Sequence, residues 1–280
     1  MKPTPSPFIR SNWVYFFAFL LVAILVLLLA KWLPPAIDWR LYFRPAANRL
    51  LHGQSPYDIV GFPSPPWLLL PILPLALLPE NVGRAIFFLM NLAAFAYTAH
   101  RLGATPFTMF FFLLSPPILH SLLNGNVDSL VILGFTLPPP IGLLFLSIKP
   151  QIGGGVAIFW LVEAWREGKW GKVIQTFWPV SLIWLASFAL FGLWPLRWQS
   201  EVGQWWNASA WPLSIPVGLV LLVMAIRQRR VQFAMPAAAC LSPYVLLHAW
   251  VGALTPLLTL PAEMFAAVLG LWLLVISLLL

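Results

Sequence analysis

Charge is what this chain has least of: 9% of its 280 residues are Asp, Glu, Lys or Arg, against 61% apolar. Eight residues are acidic, and only Asp38, Asp58 and Asp128 are aspartates. Cys240 is the single cysteine, which excludes an internal disulfide and a cysteine metal site. His52, His100, His120 and His248 are too scattered for metal-ligand spacing, and no Asp-x-Asp pair occurs, so no metal and no cofactor is expected. A Gly-rich phosphate loop is also missing. Gly153, Gly154 and Gly155 open an apolar run, where small residues let helices pack closely. No repeat period is visible, and no soluble domain is appended.

What is present is apolar length. About 20 apolar residues cross a bilayer core, and a mean hydropathy of +0.88 with only short polar breaks predicts an all-α, polytopic integral membrane bundle. Apolar runs near 13–33, 66–79, 84–101, 105–122, 127–148, 152–165, 173–194, 212–227, 235–258 and 261–280 predict about ten transmembrane segments. Trp13 to Leu33 exceeds a signal-peptide core and lacks a cleavage site, so it reads as a retained first helix. The whole chain, 1–280, reads as one membrane domain with larger extracytoplasmic loops at 34–66 and 195–211.

The net charge of +8 sits mostly in the breaks, where lipid headgroups and orientation account for it without nucleic acid. Arg166, Lys169 and Lys172 form one basic break, and Arg227, Arg229 and Arg230 another. Both are predicted to face the cytoplasm. Between Val127 and Ile148 the run is interrupted by Pro138, Pro139 and Pro140. It reads as one broken crossing, because two halves would each be too short. That count puts loop 34–66 outside; one crossing would set Asn126 and Asp128 opposite Asp38, but the compressed interval from Gly125 to Lys149 leaves their side open.

The loop concentrates Asp38, Arg40, Arg44, Arg49, His52 and Asp58. Three arginines on the side where arginine is scarce are either snorkelling cations or contacts for an anionic ligand. Trp39, Tyr42, Phe43, Ala46, Ala47, Leu50 and Leu51 fall at helical spacing, with Arg40, Arg44, Asn48 and His52 opposite. This predicts an interfacial helix lying on the membrane, with Pro45 opening a segment and Gly53 stopping it. Asp38 reads either as a general base at the boundary or as a helix N-cap. Asp58 reads as a turn residue, and Asp128 as a buried functional carboxylate or a cap. Lys149, followed by Pro150 and Gln151, either reaches a phosphate or snorkels. His120 and His248 read as packing histidines. Trp205, Trp206 and Trp211 read as interfacial anchors more readily than as sugar-stacking platforms. The Asn207-Ala-Ser209 sequon is too short to carry weight.

In order along the chain come Asp38, Tyr42, Ala46-Ala47, Leu50-Leu51, Gly53 and Pro56-Tyr57. Pro65-Pro66, Leu77-Leu78-Pro79, Asn91-Leu92, Gly125-Asn126 and Ser147-Ile148-Lys149-Pro150 follow. This series resembles glycosyltransferase family 87, polyprenyl-phosphate-mannose-dependent enzymes of the GT-C class, over roughly residues 10 to 170. The resemblance implies a GT-C-like bundle in a prokaryotic plasma membrane. It implies inverting, metal-independent transfer of a hexose, often mannose, from a polyprenyl-phosphate-linked sugar donor to a lipid or glycan acceptor at the extracytoplasmic face. Asp38 would be the catalytic base, with Arg40, Arg44 and Lys149 on the donor phosphate. Tyr42, Arg49, His52, Tyr57, Asn126 and Gln151 are further candidates for substrate contact. Competing readings are a transporter or lipid flippase, which needs midplane polar residues and repeat symmetry, and a non-catalytic assembly subunit.

Overall fold

A computed structural model describes residues 7–62, 64–197 and 206–279. Positions 198–205 of the second loop, Trp205 among them, lie outside the described residues. Among these residues the chain is entirely helical, without a strand. The helices are α1 (Pro7–Trp32), α2 (Arg44–Leu51), α3 (Leu73–Ala76), α4 (Glu80–Arg101), α5 (Pro106–Leu113), α6 (Pro116–Asn124) and α7 (Asp128–Leu133). They continue with α8 (Pro139–Leu146), α9 (Pro150–Phe191), α10 (Ile215–Gln228), α11 (Val231–Leu241), α12 (Val251–Leu254) and α13 (Pro261–Leu279).

Four helices are long and apolar enough to cross a membrane: α1, α4, α9 and α13. The pair α5–α6, bent by 53°, has the combined length and apolarity of a fifth span if it crosses as one unit, and is otherwise a re-entrant loop. The run at 66–79, expected as a crossing, is a 3-10 turn followed by the four-residue α3. Its prolines deny the backbone donors that a continuous helix needs. The expected pair 152–165 and 173–194 is one helix by hydrogen bonding, broken at Gly168 and Lys169, where φ is −157° and 50°. Its two legs, of about 18 and 22 residues, each rise about 27–33 Å.

The segment 127–148 corrects the single-crossing expectation. Helix α7 leads away from Val127 and α8 returns, so that Asp128 and Lys149 meet in an ion pair of 2.7 Å. A Cβ on Gly142 would stand 2.6 Å from the Gly134 carbonyl oxygen, so the two strokes touch where a side chain would not fit. The triple proline is the turn of a short hairpin rather than a kink within one span. Asn126, Asp128 and Lys149 therefore share the end of the bundle that holds Asp38.

The amphipathic helix of the first loop is present, and part of its apolar face packs on protein. A π-helical turn, Trp39–Phe43, runs into α2, with Pro45 in its first turn and Gly53 at φ +70° after its end. Trp39, Phe43, Ala46 and Ala47 are buried in the core, while Arg40 and His52 on the opposite stripe are exposed. Trp39 packs on Phe87 of α4 at 5.2 Å between ring centroids. At the other end, Arg166 donates to the Ile226 carbonyl at 2.7 Å and Arg229 lies 3.9 Å from Glu163. The two basic breaks, 60 residues apart, thus form one cationic end.

Candidate functional site

Three local devices bring three distant residues together. Asp38 lies in the turn after α1. It has helical φ and ψ and its side chain makes no cap hydrogen bond, so the N-cap reading does not hold. Asn126 follows the C-terminus of α6, which ends on Gly125 in the left-handed region at φ +68°. Gly125 N–H donates to the Leu122 carbonyl at 3.2 Å and Asn126 N–H to that of Ser121 at 2.9 Å, the paired bonds of a Schellman stop. A Cβ on Gly125 would be 2.8 Å from the Trp39 Cβ, so the close seat of Asn126 beside Asp38 depends on that hydrogen. Lys149 is held extended by the proline after it, which opens α9.

The Asn126 side chain is the hub. Its Oδ1 accepts from Lys149 Nζ at 2.5 Å and from the Val127 N–H at 2.7 Å. Both partners are donors, which fixes the amide orientation and turns Nδ2 toward Asp38 Oδ2, at 2.5 Å. The same Nδ2 is 3.2 Å from His248 Nε2. Nδ1 lies 2.6 Å from Asp128 Oδ2, an ion-pair separation without hydrogen-bond alignment. The other oxygen of Asp128 takes the Lys149 ammonium at 2.7 Å. Asp128 and His248 are fully enclosed, and Lys149 is 11% exposed. Next to Asp128, Ser129 Oγ donates a short hydrogen bond to Asn91, another position of the motif series. At the edge of the cluster, the exposed His120 stacks on His248 with centroids 5.4 Å apart.

Burial raises the pKa of Asp38 above the ordinary carboxylate range. His248, Lys149 and the Asn126 hydrogen bond pull it back, and Asp128 adds to the rise. Lys149 spends two N–H groups inside the cluster and has no third partner among the described residues. Among these residues no three His, Cys, Asp or Glu side chains are placed to hold a metal ion.

The remaining sequence candidates lie elsewhere. Arg40 is 3.7 Å from Glu80, and Arg44 donates to the Leu78 carbonyl at 3.4 Å. Arg49 pairs with Asp58 at 3.3 Å, and His52 Nδ1 is 2.7 Å from the Asn48 carbonyl oxygen. Tyr57 is structural: its hydroxyl donates to the Ser64 carbonyl, its ring stacks on Trp194, and burial raises its pKa. Tyr42 packs beside Gly61, and Gln151 lies half-buried in the first turn of α9. Trp206 and Trp211 flank a strap, 206–211, tied to the segment carrying His248 through Asn207 to Val245 and Trp250 to the Ala208 carbonyl.

Sequence reasoning assigned His248 to packing and left Asp128 between two roles. The available signal was the cost of a buried carboxylate in an apolar run, which demands a cation or donor nearby. It could not say which one.

Gly125→Ala tests the seating of Asn126. A Cβ at φ +68° is strained and collides with Trp39. Stability is expected to fall by about 1–2 kcal/mol from the left-handed backbone alone. A thermal unfolding curve alongside any measured activity checks this, and an unperturbed variant would contradict the close contact.

Compared with known proteins, the chain matches no family model, no curated protein and no solved structure.

Proposed function

We propose that this chain is an integral membrane glycosyltransferase that moves a hexose, mannose first among the candidates, from a polyprenyl-phosphate-linked donor to a lipid or glycan acceptor. The observation that carries the reading is the single hydrogen-bonded chain Asp38–Asn126–Lys149. These positions fall in three separated elements of the motif series that resembles glycosyltransferase family 87. Composition gives no reason for them to meet.

The chemistry follows from what each group can do. Asp38, ionised, takes the acceptor hydroxyl proton as that oxygen attacks the anomeric carbon, and the carbon–phosphate-oxygen bond breaks on the opposite face, inverting the centre. Asn126 fixes the carboxylate through one oxygen. The remaining N–H of Lys149 is available to the departing phosphate, a cation set where negative charge grows. Asp128 and His248 hold Lys149 and Asn126 in place. The reading needs no metal, because a monophosphate leaving group carries less charge than a diphosphate. It takes the Arg166–Arg230 end as cytoplasmic by the positive-inside rule, so the first leg of α9 separates it from an extracytoplasmic Asp38. It also includes a GT-C arrangement in a prokaryotic plasma membrane, with α10, α11 and the α7–α8 hairpin adding to the long helices.

The test is transfer by purified protein in nanodiscs, given radiolabelled polyprenyl-phosphate hexoses and a lipid-extract acceptor, with the anomeric configuration of product read by NMR. Inverted product supports the reading. Folded protein that turns over no donor, by transfer or by hydrolysis, sinks it.

Acidity gives a second check. Asp38 must be ionised to act, so kcat/KM is expected to fall on acidification at a pH above the ordinary Asp range, about 4. Its contribution to stability moves oppositely. A carboxyl whose folded pKa is raised stabilises the fold when protonated; that contribution is present in full below the unfolded pKa and is lost as pH rises through the folded one. An acid limb at the ordinary carboxylate value would contradict the raised pKa.

A further inference from the structure

Three arginines surround the first turn of α4 with one carboxylate among them. Arg40 lies 3.7 Å from Glu80, Arg44 donates to the carbonyl of Leu78, and Arg84 donates to the carbonyl of Ala30 at 3.3 Å. Arg44 and Arg84 have no acidic partner among the described residues, and the Nε–H of each is buried without a hydrogen bond. A buried donor that no protein group meets calls for an explanation, and an anionic acceptor from outside the chain is one that suits a guanidinium. Between α1 and α4 lies an apolar groove of about 610 Å³, lined by Val22, Val26, Leu27, Ile86, Leu89 and Met90, among others. The Arg84–Ala30 contact lies along α1 and α4 toward its loop-side end. Ala30 is three residues past Leu27, and Arg84 two before Ile86.

An apolar slot with the Arg44 and Arg84 guanidinium groups toward one end, neither met by a carboxylate, has the chemistry of a lipid with an anionic phosphate headgroup. Arginine meets phosphate with forked donors, and the slot takes the hydrocarbon chain. We propose that the α1–α4 groove binds an anionic phospholipid, its chain along Val26 and Leu89 and its phosphate on Arg84 and Arg44, with Arg40 free to join by leaving Glu80. This assigns Arg44 to a lipid away from the Lys149 cluster. Trp39 links the two places, being the backbone neighbour of Asp38 with its ring against Gly83 and Phe87. Sugar transfer is not required for the site to exist.

The test is native mass spectrometry of protein released from nanodiscs containing equal phosphatidylglycerol and phosphatidylcholine of matched chains. The expected result is retained phosphatidylglycerol in preference to phosphatidylcholine. The preference should fall about tenfold or more in Arg44→Gln/Arg84→Gln, which removes two charge-assisted contacts. Val26→Trp, which fills the groove without touching charge, should lose both lipids. Asp38→Asn should keep the lipid while losing transfer, so the two readings fail separately. Equal retention of the two lipids by the wild type, or an undiminished preference in the double arginine variant, overturns the proposal.

Discussion

Asp38→Asn is expected to lower turnover by about 10²–10⁴-fold while leaving donor binding and fold intact, the range that removal of a positioned general base produces. The substitution suits the site. The introduced amide keeps the shape of the carboxylate and one oxygen to accept from Asn126 Nδ2, which lies 2.5 Å from the native carboxylate, so the hub and its Lys149 contact survive. What is lost is the ability to take a proton. Single-turnover rates with labelled donor, set beside equilibrium donor binding, separate these effects. A loss confined to kcat places Asp38 in the chemical step. A loss of donor affinity with an unchanged rate would make it a binding residue, and unchanged kinetics would remove it from the mechanism.

Asp128→Ala is expected to have the largest effect on stability, about 3–5 kcal/mol, the cost of stranding one member of a buried ion pair. The Asp128 carboxylate is fully enclosed, and its Lys149 partner is 11% exposed. Removing the carboxylate leaves an ammonium held only by Asn126, and a His248 ring whose Nδ1 faces nothing. The double variant Asp128→Ala/Lys149→Met should recover most of that loss, because two apolar groups carry no unpaired charge. It should not recover transfer, since the ammonium is gone. The buried, single Cys240 makes the measurement direct: a thiol-reactive dye reports unfolding of this one position. A single variant as stable as wild type would mean that the pair is solvated in the membrane, and recovery of activity in the double variant would remove Lys149 from catalysis.

Several elements were legible from the residues. The apolar length of α1, α4, α9 and α13 marks helices able to cross a bilayer, and Pro45 and Gly53 bracket α2 as turn chemistry predicts. Asp38, Asn126 and Lys149 stood out because polar groups are scarce in this chain. The number of long spans was less legible. A run of apolar residues with prolines scores alike whether it crosses once, as expected for 127–148, or turns back on itself, as α7 and α8 do. Hydropathy counts apolar residues but says nothing of direction, and the turn is decided by the fit of Gly134 against Gly142.

The first loop divides in the same way. Its period of apolar residues required an amphipathic helix, yet that stripe cannot tell lipid from protein as a partner. The core formed by Trp39, Phe43, Ala46 and Ala47 turned it inward. The arginines then followed the backbone to the start of α4, leaving Lys149 as the one cation of the expected phosphate set within the Asp38 cluster.

By itself, the sequence determined that this is a helical chain with membrane-length spans, basic breaks and very few buried charges, because those properties depend on local composition and on the fixed thickness of a bilayer. Only the tertiary structure decided that Asp38, Asn126, Asp128, Lys149 and His248 form one network. Pairing a buried charge is obligatory, but the choice of partner rests on contacts across as many as 122 residues, which no local pattern encodes.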